Sequence, residues 1–184
     1  SSAWGWYIIL SWLPKYLKSL GAETSKAGIY AIAPFAAQVI TDIMAGWLAD
    51  AMIEKGHSRT YVRKLFQTVS LMGPALCLLV VVYFQVTTVL GVTVAMTVFM
   101  ALKGCSHAGY AVNMIDIAPK QAAQLYGISN TLATLAGIFG NLSTGWIWQA
   151  TGNFQWIFLL CAAVYALGSA VFLKYATGEV VFKY

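Results

Sequence analysis

The stretch Gly46-Trp-Leu-Ala-Asp50-Ala-Met-Ile-Glu-Lys55-Gly-His-Ser-Arg59-Thr-Tyr-Val-Arg63-Lys64 decides how this chain folds. An apolar segment precedes it and another follows, each long enough to cross a bilayer. Between them lies the most charged stretch of a sequence that otherwise avoids charge. The pattern is that of a tight hairpin between two membrane helices: the apolar flanks enter lipid and the basic turn stays on the cytoplasmic or equivalent side.

Composition points the same way. The chain is 60% hydrophobic and 9% charged, where a soluble domain carries about 25% charged residues. A chain of this size cannot hide so much apolar surface from water, so membrane lipid is its first expected partner. The formal charge of +5 does not indicate nucleic acid, because the cations cluster at helix ends and no basic, aromatic groove accompanies them. Cys77, Cys105 and Cys161 fall singly on three apolar segments, so neither a metal site nor a disulfide framework can be built from them. No nucleophile–base set or phosphate loop is present, which argues against an enzyme and implies no cofactor. Trp4, Trp6, Trp12, Trp146, Trp148 and Trp156 lie near span ends and read as interfacial anchors.

Six spans are expected, from about Ala3 to Leu20, Lys26 to Ile53, Val62 to Phe84, Thr87 to Ile115, Gln121 to Gln149, and Asn153 to Ala176. Pro14, Pro34 and Pro74 fall inside spans as candidate kinks, and Pro119 separates the fourth from the fifth. One side of the membrane would carry Lys55, Arg59, Arg63, Lys64, Lys120, Lys174 and Lys183. The other would carry only Lys15, Lys18 and Lys26. That excess places the hairpin, the Pro119 turn and the C-terminus on the cytoplasmic side. Small residues recur every fourth position at Ala33, Ala37, Thr41, Ala45 and Ala49, and at Ser129, Ala133, Gly137, Asn141 and Gly145. Such stripes let helix backbones approach closely, and plain packing is their expected role.

Ionisable groups inside spans are functional candidates by default. Asp42 and Lys103 sit at matching depths on helices that run towards the basic side, so they are expected to face each other or a shared cavity as an intramembrane ion pair. Lys103 alternatively binds a substrate anion. His107 and Tyr110 follow at one-turn spacing; without a carboxylate one turn away, His107 reads first as a hydrogen-bonded helix histidine and second as a proton relay. Ser129 and Asn130 are polar within the fifth span and are candidates to line a pathway. Asp50 ends its helix where the macrodipole is already negative, which calls for a cation. Arg59, Arg63 and Lys64 are within reach, so Gly46, Asp50 and these three cations form an expected cytoplasmic gate.

Several motifs occur in order along nearly the whole chain: Trp12-Leu-Pro-Lys-Tyr16, Gly46-Trp-Leu-Ala-Asp50, Val62-Arg-Lys64, Asp116-Ile-Ala-Pro119, Gly127-Ile-Ser-Asn-Thr131 and Ala176-Thr-Gly-Glu179. They resemble the C-terminal half of the anion:cation symporters of the major facilitator superfamily, which include the sodium–phosphate, sialic acid and vesicular glutamate transporters. The tail and the Val62-Arg-Lys64 context are most similar to the plant and algal plastid branch. The resemblance implies an all-α, polytopic membrane protein in which residues 1–184 form the C-terminal six-helix bundle and the N-terminal half is absent. It further implies transport of phosphate or organic anions coupled to an ion gradient, by alternating access. The expected location is a plastid membrane (thylakoid or inner envelope), with other endomembranes or the plasma membrane as alternatives. Where the plastid branch usually reads Asn-His-Gln-Asp, this chain has Asn113-Met114-Ile115-Asp116, so two polar side chains at a point of expected substrate contact are apolar here. The chain opens on Ser1 without a signal-peptide pattern and reads as part of a longer polypeptide. Its expected partners are the missing N-terminal half or other membrane subunits. A runner-up function is that of a transporter-derived structural subunit in a larger, photosynthetic membrane complex.

Overall fold

A computed structural model describes residues 2–21 and 24–181, apart from the side chains of residues 24–29 and 31. The Lys26 side chain and Lys183, two of the cations used to orient the chain, lie outside the described residues. Among the described residues all regular structure is helical: α1 (Ser2–Ser19), α2 (Thr24–Glu54), α3 (Arg59–Tyr83), α4 (Val89–Gly104), a π-helical turn (His107–Ala111), α5 (Val112–Ile117), α6 (Ala122–Thr151) and α7 (Phe154–Tyr175). The segment from α4 through the π turn to α5 overlaps the fourth apolar run, so six helical segments coincide with the six apolar runs. Four of them are long and apolar enough to cross a membrane: Ile32–Glu54, Arg59–Tyr83, Val89–Ile117 and Phe154–Tyr175. Pro14, Pro34 and Pro74 lie inside α1, α2 and α3, and α5 ends just before Pro119.

The hairpin after Asp50 is tight for local reasons. Gly56 takes φ +93°, a left-handed conformation that costs glycine least. The His57 amide then donates to the Met52 carbonyl at 3.1 Å and the Gly56 amide to Ile53 at 3.0 Å, which is how a Schellman end satisfies orphan carbonyls. Two residues on, the Ser58 hydroxyl accepts from the Tyr61 amide and starts α3.

The main core joins four helices. Leu13 and Leu17 of α1, Leu71 and Leu78 of α3, Met96 and Phe99 of α4, and Ile157 and Tyr165 of α7 are all buried within it. A smaller cluster near the hairpin joins Ala45 and Ala49 of α2 to Val62 and Phe66 of α3 and to Ala108 of the π turn. The small-residue stripes act in packing. A Cβ at Gly137 would lie 2.2 Å from the Tyr7 ring, and one at Gly140 would lie 3.2 Å from the Trp4 ring, so α6 approaches α1 at glycines. On the other flank a Cβ at Gly104 would lie 2.9 Å from the Gln38 carbonyl oxygen and 3.0 Å from the Asp42 amide, so α4 meets the backbone of α2. Trp146 and Trp156 are exposed as anchors should be. Trp4, Trp6 and Trp12 of α1 instead pack against the core, as does Trp148 of α6, whose ring meets Phe154 of α7.

Candidate functional site at a π-helical turn

The polar side chains converge on the π turn. A π turn widens the helix and withdraws backbone groups from the regular ladder, and buried orphan groups need partners. Helix α3 supplies them at i, i+4 spacing. Arg63 donates from Nη1 to the Ala108 carbonyl at 3.0 Å, and the Gln67 Oε1 accepts from the Tyr110 amide at 3.2 Å. Both side chains are buried. Gly109 makes the approach feasible, since a Cβ there would stand 2.8 Å from Gln67 Oε1 and 2.9 Å from the Gln67 amide nitrogen. The Ser70 hydroxyl donates to the Gln67 carbonyl one turn further on.

Arg63 is itself anchored. Its Nε lies 2.6 Å from Asp116 Oδ2, and Arg59 approaches the other carboxylate oxygen at 3.8 Å from a largely exposed position. Burial of this guanidinium is tolerable because it is both ion-paired and hydrogen-bonded. The expected gate is corrected here: Arg59 and Arg63 serve Asp116, not Asp50. Asp50 is exposed and makes no ion pair with the described residues, and Lys64 is half-buried without one. A Cβ at Gly46 would meet nothing within 4 Å. The reason is geometric, for Asp50 faces outward from the end of α2 while the Arg63 face of α3 turns inward to α5.

The other side of the π turn faces α2. The His107 Nδ1 lies 2.7 Å from Asp42 Oδ1, with the two side chains 52% and 24% exposed. The expected Asp42–Lys103 ion pair makes no direct contact: Asp42 takes the residue one turn beyond. The buried Lys103 ammonium donates to the Ser2 hydroxyl at the start of α1. Lys103 points into the bundle, whereas the π turn re-aims His107 outward over α2. The Asp42 charge still acts on Lys103 at longer range, so the three groups form one electrostatic cluster. His107 has a carboxylate after all, from another helix.

A cavity of about 700 Å³ lies off the N-terminal end of α1, walled by α3, the π turn, α5, α6, α7 and the tail. Asn113 and Ser129 line it together with Ser2, Gln67, Tyr110 and Thr177, and no charged side chain does. Lys103 and His107 are not on its wall, nor is Asn130, which is exposed on α6. Asn113 donates from Nδ2 to the Thr177 carbonyl at 2.8 Å, while its buried Oδ1 has no partner. The tail closes over this end: the Gly178 amide donates to the Thr60 hydroxyl at 2.8 Å, and the Val181 amide to the Ile117 carbonyl at 2.9 Å. Among the described residues no group of three metal-ligating side chains occurs.

The π turn, Gln67 and Asp116 are the site features that the sequence reading leaves out. Gly104 and Gly109 flanking His107 are the available signal for a close-packed, irregular helix, and Asp116 already stands in the Asp116-Ile-Ala-Pro119 motif.

The chain resembles known proteins along almost its full length. It is 37% identical over 180 residues to "Probable anion transporter 3, chloroplastic" of Arabidopsis thaliana, covering 97% of this chain and 35% of that protein. It is 33% identical over 177 residues to "Ascorbate transporter, chloroplastic" and 32% identical over 177 to "Sodium-dependent phosphate transport protein 1, chloroplastic", both of Arabidopsis thaliana. Each of these matches covers 96% of this chain, with 32% and 34% of the relative. The chain therefore spans about a third of the length of the curated relatives it matches. The model of the Major Facilitator Superfamily matches residues 1–181. On the strength of that match, together with the helical bundle it falls on, the chain belongs to the Major Facilitator Superfamily.

Proposed function

We propose that this chain is the C-terminal six-helix half of a secondary transporter that moves inorganic phosphate or a small organic anion across a plastid membrane. The observation that carries the reading is similarity to chloroplastic anion transporters over 96–97% of the chain. In this reading α1 and α6 cross the bilayer beside the four helices already long and apolar enough to do so. The outward apolar side chains of α2 and α6, such as Val39, Ile43, Leu132 and Phe139, meet lipid or the facing half. Substrate and coupling sites of such transporters form near the bilayer midplane between repeats. The Lys103–Asp42–His107 cluster is suited to that position, and Asn113, Ser129 and Asn130 are proposed to line the route beyond it. Arg59, Arg63 and Asp116 take the part of the cytoplasmic latch, with Gly46, Asp50 and Lys64 at its rim. Because the relatives are transporters, a purely structural subunit is the less favoured role.

The test is transport by the full-length polypeptide in proteoliposomes. Vesicles preloaded with phosphate or ascorbate should take up the labelled anion by counterflow, and a sodium or proton gradient should drive accumulation. Absence of counterflow with every anion tried would overturn the transport reading.

A further inference from the structure

Asp42 and His107 form the one carboxylate–imidazole contact among the described residues. Asp42 lies 12 residues before the end of its span at Glu54, and His107 lies 10 residues before the end of its span at Ile117. At roughly 1.5 Å per residue each is about 15–18 Å from the basic side, near the middle of a hydrocarbon core of roughly 30 Å. Ionisable groups at that depth are held at a cost and mark ion or proton routes. Neither side chain is sealed in the core, since both keep a free edge on the α2–α4 face.

We propose that the Asp42–His107 pair is a proton-binding site that couples anion movement to proton movement, with the Lys103 ammonium as the neighbouring positive charge. The proposal rests on the transport reading above. With one proton on the pair, imidazolium and carboxylate sum to zero and the Lys103 ammonium leaves the cluster at +1. Without that proton the pair carries −1 and Lys103 brings the cluster to zero. A monovalent anion is therefore attracted while the proton is bound and released when it leaves, and the two cross together without net charge. The neighbouring groups are compatible with this count. Lys103 and Cys105 from the end of α4 and Tyr110 from the π turn are the titratable groups that sense Asp42. Arg63 of α3 is engaged by Ala108 and Asp116, and α1 carries no charged residue before Lys15. The contact also has a defined backbone setting, because the close approach at Gly104 brings α4 against the Asp42 backbone.

The full-length protein is reconstituted with a pH dye trapped inside, and proton entry is measured beside anion uptake. One proton per monovalent anion is expected. His107→Gln and Asp42→Asn should each lose proton entry and the pH-gradient-driven component of uptake. The unfolding midpoint of each variant in detergent, compared with that of the unmodified protein, shows that it is folded. Net anion uptake without proton entry in the unmodified protein would overturn the coupling proposal while leaving transport intact. So would proton entry that survives in both variants. No counterflow in the unmodified protein would remove the transport reading and this proposal with it. His107→Asn serves as a second variant should the longer glutamine side chain prevent folding.

Discussion

Arg63 and Asp116 stand 53 residues apart in sequence, yet Arg63 Nε and Asp116 Oδ2 are 2.6 Å apart at the junction of α3 and α5. The arginine side chain is 5% exposed and the aspartate 9%. Through Nη1 the same guanidinium holds the Ala108 carbonyl, so one side chain ties two helices and the irregular turn between them.

Removing one partner of such a pair strands the other. Arg63→Ala or Asp116→Ala should each destabilise the full-length protein by about 3–5 kcal/mol, read as a lowered unfolding midpoint in detergent. Arg63→Met combined with Asp116→Leu should cost less than the sum of the single changes, since neither buried charge is then left alone. Additive losses would show that the two side chains are not coupled.

Gln67 holds the Tyr110 amide inside the π turn. Gln67→Leu leaves that buried N–H unpaired, at about 1–3 kcal/mol, and should speed amide exchange at Tyr110 and its neighbours. Gly109→Ala acts on the same contact by bulk, because its methyl would meet the Gln67 backbone at 2.9–3.0 Å and must push α3 away. Both changes should lower the unfolding midpoint. Unaltered exchange in Gln67→Leu would mean that the turn does not depend on this side chain.

Tyr165 is fully buried between α1, α4 and α7, stacked on Phe99 at 5.9 Å, and its hydroxyl has no hydrogen-bond partner. A buried hydroxyl without a partner contributes a penalty and not a bond. Tyr165→Phe should therefore match the unmodified protein within about 1 kcal/mol, on the stabilised side. A loss of 2 kcal/mol or more, about the cost of stranding a buried partner, would reveal a hydrogen bond to that hydroxyl.

The tail rests on a glycine. A Cβ at Gly178 would lie 2.6 Å from the Thr60 amide and 2.8 Å from the Arg59 carbonyl carbon. Backbone atoms at a helix start cannot give way cheaply, so Gly178→Ala should release the tail from α3. The measurement is limited proteolysis: residues beyond Tyr175 should be cut at least several-fold faster than in the unmodified protein. Equal rates would place the tail's hold elsewhere, at Asn113 or Ile117.

The helices are legible in the sequence because length and hydropathy act locally. Gly56 and Ser58 likewise announce the hairpin by their own conformational needs. Pairing between helices is harder to read. Periodicity shows which residues share a face and is silent about which helix comes to lie against it. Arg63 thus looks towards Asp50, its near neighbour in the chain, while the fold gives it Asp116. Matching depth does bring Asp42 close to its true partner, one turn from Lys103. What that count misses is the widened turn, which carries His107 out over α2 and leaves Lys103 pointing inward to Ser2.

Each residue of an α-helix advances the screw by about 100°. The widened turn at His107–Ala111 absorbs one residue that a straight helix would not, so α5 is phased about 100° away from the direction α4 alone would impose. Lys103 then belongs to one azimuth and Asn113 and Asp116 to another, within a single span. Deleting one residue in that turn would swing Asn113 off Thr177 and Asp116 off Arg63 together. Two clasps on separate parts of the bundle are set by one angular variable.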